Sequence, residues 1–192
     1  MKKSSVFEKE LEKVGHLENR SATVAFLETI VPEYFWYVPA SSTGKYHPDF
    51  AQGDGGLIRH TKAAVCVAEE LLKLDDFVFA SPDIVYAAII IHDCFKYGRE
   101  KNRYTRKDHG EICATEWIRF IEEENIQVDP DFAKGVFQCV LWHMGQWSDR
   151  DTFERYHCPD EIFRDELKVV ELSDYISSRK FMCLEKYDTC EE

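Results

Sequence analysis

The run Ala87-Ala88-Ile89-Ile90-Ile91-His92-Asp93-Cys94-Phe95-Lys96 constrains this chain more than any other stretch. Apolar residues at that density read as a buried helix, with a buried strand as the alternative, and the last turn carries an imidazole and a carboxylate toward the interior. An ionised carboxylate taken out of water costs several kcal/mol unless it is paired or coordinates a cation. A bound metal explains His92-Asp93 most simply, and local capping at a helix end is the competing explanation.

The 192 residues suit one domain with a sizeable core. Within it we place N-terminal helices and a loop over 1–55, a core over 56–179 and a tail over 180–192. A hydrophobic fraction of 44% with 31% charged residues fits a globular protein in water. The net charge of −12 argues against non-specific coating of nucleic acid, which clustered Lys and Arg supply. No stretch approaches the roughly 18 apolar residues of a membrane span, and Met1 to Glu8 lead into charge rather than a signal-peptide core, so a cytoplasmic location is expected. The seven cysteines are scattered and lack a C-x-x-C, which points away from a disulfide framework or a cysteine zinc knuckle.

Helical spacing recurs along the chain and period-two alternation is scarce, so the expected class is all-α, a single helical bundle. Phe7, Leu11, Val14 and Leu17 form one stripe, and Thr23 to Val31 gives a second helix that Pro32 ends. From Tyr34 to Gly56 aromatics, glycines and prolines replace that pattern, and the stretch reads as a long ordered loop presenting Ser42, Lys45 and His47. A packed connection whose polar residues only make turns is the plainer alternative. Leu57 to Leu74 is an amphipathic helix with His60 beside its apolar stripe, and Ser81-Pro82 is an N-cap and first-turn proline for the helix that ends at His92-Asp93.

Residues 96–107 are the one concentrated basic segment, either a solvated loop or an anion-binding wall. Asp108 and Glu111 resemble a capping box for a helix to about Glu124 that buries Ile112, Trp117, Ile118 and Ile121, with His109 in its first turn. Asp129-Pro130 opens the next helix, where Val136, Val140 and His143 share a face, and a last helix from about Pro159 to Arg179 turns Asp174 inward.

Six metal-capable residues thus fall at inward or capping positions: His60, His92, Asp93, His109, His143 and Asp174. Their order, with the stretches Gly-Gly-Leu-Ile-Arg-His60-Thr, Ile-His92-Asp93-Cys-Phe-Lys96, Asp-His109-Gly, Trp-His143 and Leu-Ser-Asp174-Tyr-Ile, resembles the HD superfamily of metal-dependent phosphohydrolases over roughly residues 55–179. The resemblance implies a bundle with the ligands converging at its centre. His60, His92, Asp93 and Asp174 match the holders of a first metal, and Asp93 matches a bridge to a second metal held by His109 and His143.

Having both of the last two histidines, the chain looks like the binuclear subgroup that includes cyclic-dinucleotide phosphodiesterases and a dinucleoside polyphosphate hydrolase. The Gly-Leu-x-x-His-Thr opening is also similar to the HD region of some bacterial exoribonucleases. A Gly-Tyr-Pro after the later motifs, found in the cyclic-di-GMP subgroup, is absent, which points away from that substrate.

The chemistry suits these residue types. Imidazole and carboxylate ligands hold two divalent ions, from among Mn, Fe, Co, Ni and Mg, and such a pair lowers the pKa of a bridging water and neutralises charge on a phosphoryl oxygen. The expected activity is hydrolysis of a phosphate ester, in a nucleotide or short oligonucleotide, by a metal-activated hydroxide. Asp93 and Lys96 are the catalytic candidates. Lys96 matches a phosphate-contacting lysine of the family, with Arg99, Lys45, His47 and Ser42 as further substrate contacts. The alternative is a metal-stabilised nucleotide-binding regulatory module without turnover.

Overall fold

The apolar run that marks the sequence is also at the centre of the molecule. In the computed structural model, which describes residues 2–147 and 161–182, helix α4 (Pro82–Ile91) buries every residue from Asp83 to Ile91. A helix apolar on all sides must be surrounded. Helices α1 (Glu8–Leu11), α2 (Leu17–Thr29), α3 (Gly56–Leu71), α6 (Pro130–Trp142) and α7 (Arg164–Ser177) all pack on it. Helix α5 (His109–Glu123) lies along α6, and α3 lies along α7. The described residues are all-α, joined by short 3₁₀ turns, and one apolar cluster runs through them from Phe7 to Val170. Among them no helix is long and apolar enough to cross a membrane.

Several local expectations need correction. The first stripe is split: a 3₁₀ turn Lys3–Phe7 leads into α1, and Leu17 starts α2 with 68% of its surface exposed. The helix expected over residues 57–74 is α3, which stops at Leu71, leaving Leu74 on the surface. Ser81 does not cap α4 with its hydroxyl, and its amide donates to the buried Glu166 carboxylate at 2.8 Å. Asp108 forms no capping box either, since Arg106 draws its carboxylate into an ion pair through Nε at 2.7 Å. Asp129 does cap α6, accepting from the Asp131 amide at 2.7 Å. Helix α5 buries Cys113, Ala114, Glu116, Trp117 and Phe120, so its inner face is rotated from the expected one and Ile112, Ile118 and Ile121 sit at the edge. The last helix begins after a 3₁₀ turn Glu161–Phe163, and the expected start at Pro159 lies outside the described residues. So do Cys158, Cys183 and Cys190, while Cys66, Cys94, Cys113 and Cys139 form no disulfide.

The aromatic loop over 34–56 is ordered by backbone bonds. Ala40 N–H donates to Ala51 O at 3.0 Å, Gly55 N–H to Tyr37 O at 3.1 Å and Leu57 N–H to Val38 O at 2.9 Å, which ties both ends of the loop to the start of α3. Arg59 then spends its fork on the same loop, donating to Phe50 O at 2.5 Å, Gln52 O at 2.7 Å and Asp54 O at 2.8 Å. Gly56 is required here because a Cβ would stand 2.3 Å from Ala51 O.

At the other end of the bundle Asp83, in the first turn of α4, holds the link between α1 and α2. It accepts from Gly15 N–H at 2.7 Å, His16 N–H at 3.1 Å, His16 Nδ1 at 2.9 Å and Asn19 Nδ2 at 2.9 Å. Burial alone would raise this carboxyl, but the donors from Asn19, His16 and Gly15 outweigh it and hold the pKa below the ordinary value. Asp83→Asn keeps the shape and removes the charge, and is expected to destabilise the fold by roughly 1.5–3 kcal/mol at pH 7. Because a depressed carboxyl stabilises the fold only while ionised, the gap between wild type and variant should be full above about pH 4 and close as the pH falls further. Urea unfolding at pH 7 and pH 3 checks both the size and the sign.

Candidate metal centre

The bundle brings the six expected ligands to one buried place. His60, on α3, is fully buried, and His92 and Asp93 follow the last residue of α4. His109 opens α5, His143 follows α6, and Asp174 lies on α7. They form two groups that share Asp93: His60, His92, Asp93 and Asp174 in one, Asp93, His109 and His143 in the other, with ligand atoms within 4.8 Å of each other in each group. In the first, His60 Nε2 is 3.0 Å from Asp174 Oδ1 and 3.7 Å from Asp93 Oδ2, and His92 Nε2 is 3.4 Å from Asp93 Oδ2 and 3.6 Å from Asp174 Oδ1. In the second, His109 Nε2 is 2.9 Å and His143 Nε2 3.8 Å from Asp93 Oδ1.

The outer nitrogens show why these rings point as they do. His92 Nδ1–H donates to Ile89 O at 2.6 Å, His109 Nδ1–H to Arg106 O at 2.6 Å and His143 Nδ1–H to Val140 O at 2.7 Å. A carbonyl only accepts, so each bond puts a proton on Nδ1 and leaves Nε2 as the lone-pair nitrogen in the neutral ring. This is how metal-binding histidines are oriented. Two consequences ask for a cation. His109 Nε2 and His143 Nε2 face each other at 3.1 Å, two lone pairs in the neutral tautomers, and His92 Nε2 is buried with no hydrogen-bond partner among the described residues. The donor set of imidazoles and carboxylates fits a divalent ion.

Electrostatics say the same. Burial would raise Asp93, but Lys96 and His92 hold its carboxyl well below the usual range, and His60 and His92 do so for Asp174. Burial would lower His92, yet Asp93 and Asp174 push it up to about 10, a sign that the two carboxylates draw positive charge to that spot. His143 goes the other way, to about 3, through burial and the neighbouring His92 and His109. Lys96 is buried with its ammonium on Asp93 Oδ2, and the carboxylates of Asp93 and Asp174 keep its pKa above the ordinary value against the effect of burial. Successive i to i+3 turns from Ile91 to Phe95 carry it there, Lys96 N–H donating to Asp93 O at 2.9 Å.

A cavity of about 620 Å³ opens on the cluster. Ser42 and His47 from the loop line it together with Asp93, Lys96, His109, His143 and Asp174. The His47 ring packs edge-on against His60 with centroids 5.0 Å apart, and burial with the neighbouring Lys96 and His60 lowers its pKa to about 2. Lys45 and Arg99 are not brought to the site. Lys45 is exposed with Nζ over the Tyr46 ring at 5.3 Å, and the exposed Arg99 pairs through Nε with the buried Glu116 at 2.6 Å. The basic segment makes no wall: Gly98 turns the chain at a φ of 91°, after which Lys101 lies over Tyr37 and Arg106 pairs with Asp108, leaving Lys96 as its one cation on the cavity.

Sequence reasoning missed Trp147 and Arg179, which also line the cavity, and Gly110. A Cβ on Gly110 would stand 2.9 Å from Val140 O, 3.1 Å from Leu141 O and 3.2 Å from His143 Cε1, so the bare backbone lets α5 approach α6 and sets His109 against His143. Gly110→Ala is therefore expected to weaken metal uptake at the Asp93, His109 and His143 group by at least about ten-fold, the effect of misplacing a ligand, while the His60, His92, Asp93 and Asp174 group keeps its affinity. Metal titration followed by elemental analysis distinguishes this from a uniform loss. No family model, no curated protein and no solved structure matches the chain.

Proposed function

We propose that this chain is a metal-dependent phosphohydrolase of the HD type, cleaving a phosphate ester of a nucleotide or short oligonucleotide with two divalent ions held by His60, His92, Asp93, His109, His143 and Asp174. The observation that carries the reading is the set of three imidazoles whose Nδ1–H groups are committed to main-chain carbonyls and whose Nε2 atoms converge around one shared carboxylate. Ions bound there supply an activated water and neutralise charge on a phosphoryl oxygen.

The chain's own residues do the rest. Asp93 presents one oxygen to each ligand group, so it fixes their spacing. The main-chain acceptors hold the imidazoles in the metal-binding tautomer before any ligand arrives, so binding requires little reorganisation. Asp174, with 25% of its side chain exposed, stands at the cavity side of the cluster. Lys96 neutralises Asp93 in the metal-free chain, and in the loaded one its ammonium, which cannot ligate a cation, turns to the substrate phosphate. Ser42 and His47 line the cavity with groups that can donate to phosphate oxygens.

The test is product formation from a panel of nucleotides, dinucleotides and simple phosphate esters, with the chain loaded separately with Mn²⁺, Fe²⁺, Co²⁺, Ni²⁺ or Mg²⁺. Turnover is expected with at least one ion and should vanish in Asp93→Ala, which remains helical by circular dichroism. Tight metal uptake with no turnover on any ester would overturn the enzyme and favour a regulatory module that binds without hydrolysis. Lys96→Ala should lower kcat/KM by about ten- to a hundred-fold, the scale of a charge-assisted hydrogen bond, with unchanged metal stoichiometry. An unchanged kcat/KM would confine Lys96 to neutralising Asp93.

A further inference from the structure

Trp147 differs from the chain's other tryptophans. Trp117 and Trp142 are buried and Trp36 is partly so, whereas Trp147 exposes 63% of its surface. It stands just beyond α6, four residues after His143, on the wall of the 620 Å³ cavity. A second cavity, of about 410 Å³, meets the first along His143, Asp174, Trp147 and Arg179, so the indole and the guanidinium stand where both open toward the ligand cluster.

Arg179 is held flat at this place. Its Nε donates to Tyr175 O at 3.1 Å and its Nη2 to Ser178 Oγ at 2.7 Å, while the guanidinium lies 4.4 Å from the Tyr175 ring centroid. Across the larger cavity the loop contributes Tyr46, with 59% of its surface exposed. Three segments distant in sequence thus set π-faces and one planar cation around a cavity whose inner end is polar and charged. Indole, phenol and guanidinium planes are the groups on which nucleobases stack, and their contribution does not depend on base identity. The cavity is within the roughly 300–1,000 Å³ of small-molecule sites, so a ligand can carry phosphate at Lys96 and a ring at the mouth together.

We propose that Trp147, supported by Arg179, is the base-stacking subsite of the substrate, and that it selects phosphate esters bearing a planar heteroaromatic ring over those bearing a sugar alone. This rests on the phosphohydrolase reading, which it narrows. In a chain of net charge −12, attraction for an anion is local, and ring stacking supplies affinity that the overall field opposes.

The experiment is a titration of the chain loaded with divalent ion, using hydrolysis-resistant phosphonate analogues of the four nucleoside 5′-monophosphates and of ribose 5-phosphate, followed by tryptophan fluorescence and calorimetry. Nucleotides are expected to quench the indole emission and to bind at least about ten-fold more tightly than ribose 5-phosphate, the scale of one stacked base. Trp147→Ala should erase that advantage and the quenching, Trp147→Phe should keep most of the affinity, and Arg179→Lys should lose part of it because an ammonium cannot stack. Trp147 is exposed, so circular dichroism of its variants should match the wild type. Ribose 5-phosphate binding as well as the nucleotides, no nucleotide binding at all, or Trp147→Ala binding as tightly as the wild type would each overturn the subsite. Turnover of the cleavable esters separates this from the parent reading. Equal hydrolysis of ribose 5-phosphate and nucleotides keeps the phosphohydrolase and removes the subsite, whereas ring-dependent binding with no hydrolysis of any ester does the reverse.

Discussion

A carboxylate with no access to water must be met by positive charge or donors, and the arrangement around Asp93 follows from that requirement. Its two oxygens are approached by four imidazoles and one ammonium, drawn from α3, the end of α4, the start of α5 and the end of α6. A shift of any of these helices would take a ring nitrogen or the ammonium away from that carboxylate. The apolar helix α4 makes the burial possible by placing His92-Asp93 directly after three isoleucines at the middle of the bundle. Packing and charge therefore specify the same centre.

The helices and the ligand positions were legible because both depend on spacing. His60, His143 and Asp174 share faces with apolar neighbours, so a period near 3.6 already turns them inward, and His92-Asp93 is marked by the run that precedes it. Substrate-side residues were less legible. Lys45 and Arg99 looked suitable by charge, yet their destinations depend on partners far along the chain or on a glycine turn: Arg99 meets Glu116, seventeen residues on. Ser81 and Asp108 had the right residue types for caps, but neither side chain makes a cap bond, and the Asp108 carboxylate is taken by Arg106 two residues before it. Gly110 carried no local signal at all, since its necessity is created by the carbonyls of α6.

The signal for Trp147 was also weak. It is a single aromatic residue after a histidine, with no periodic partner, and only the fold makes it line one cavity with Tyr175 of α7 and Arg179 just beyond that helix. Residues that could hold a metal are specified by burial, which sequence patterning reports, whereas residues that shape the mouth of a cavity are defined by exposure and by what stands opposite.

The ties of the aromatic loop divide it into two parts with different freedom. Arg59, next to the ligand His60, grips the carbonyls of Phe50, Gln52 and Asp54, and the bond from Ala40 N–H to Ala51 O closes the base of the lobe that carries Ser42 and Tyr46. Changes of length or composition within residues 41–46 are thus insulated from the position of His60, because loop closure costs little with added residues and the base stays fixed. Drift in that lobe alone would reshape the cavity wall while the buried cluster of histidines and aspartates stayed as it is.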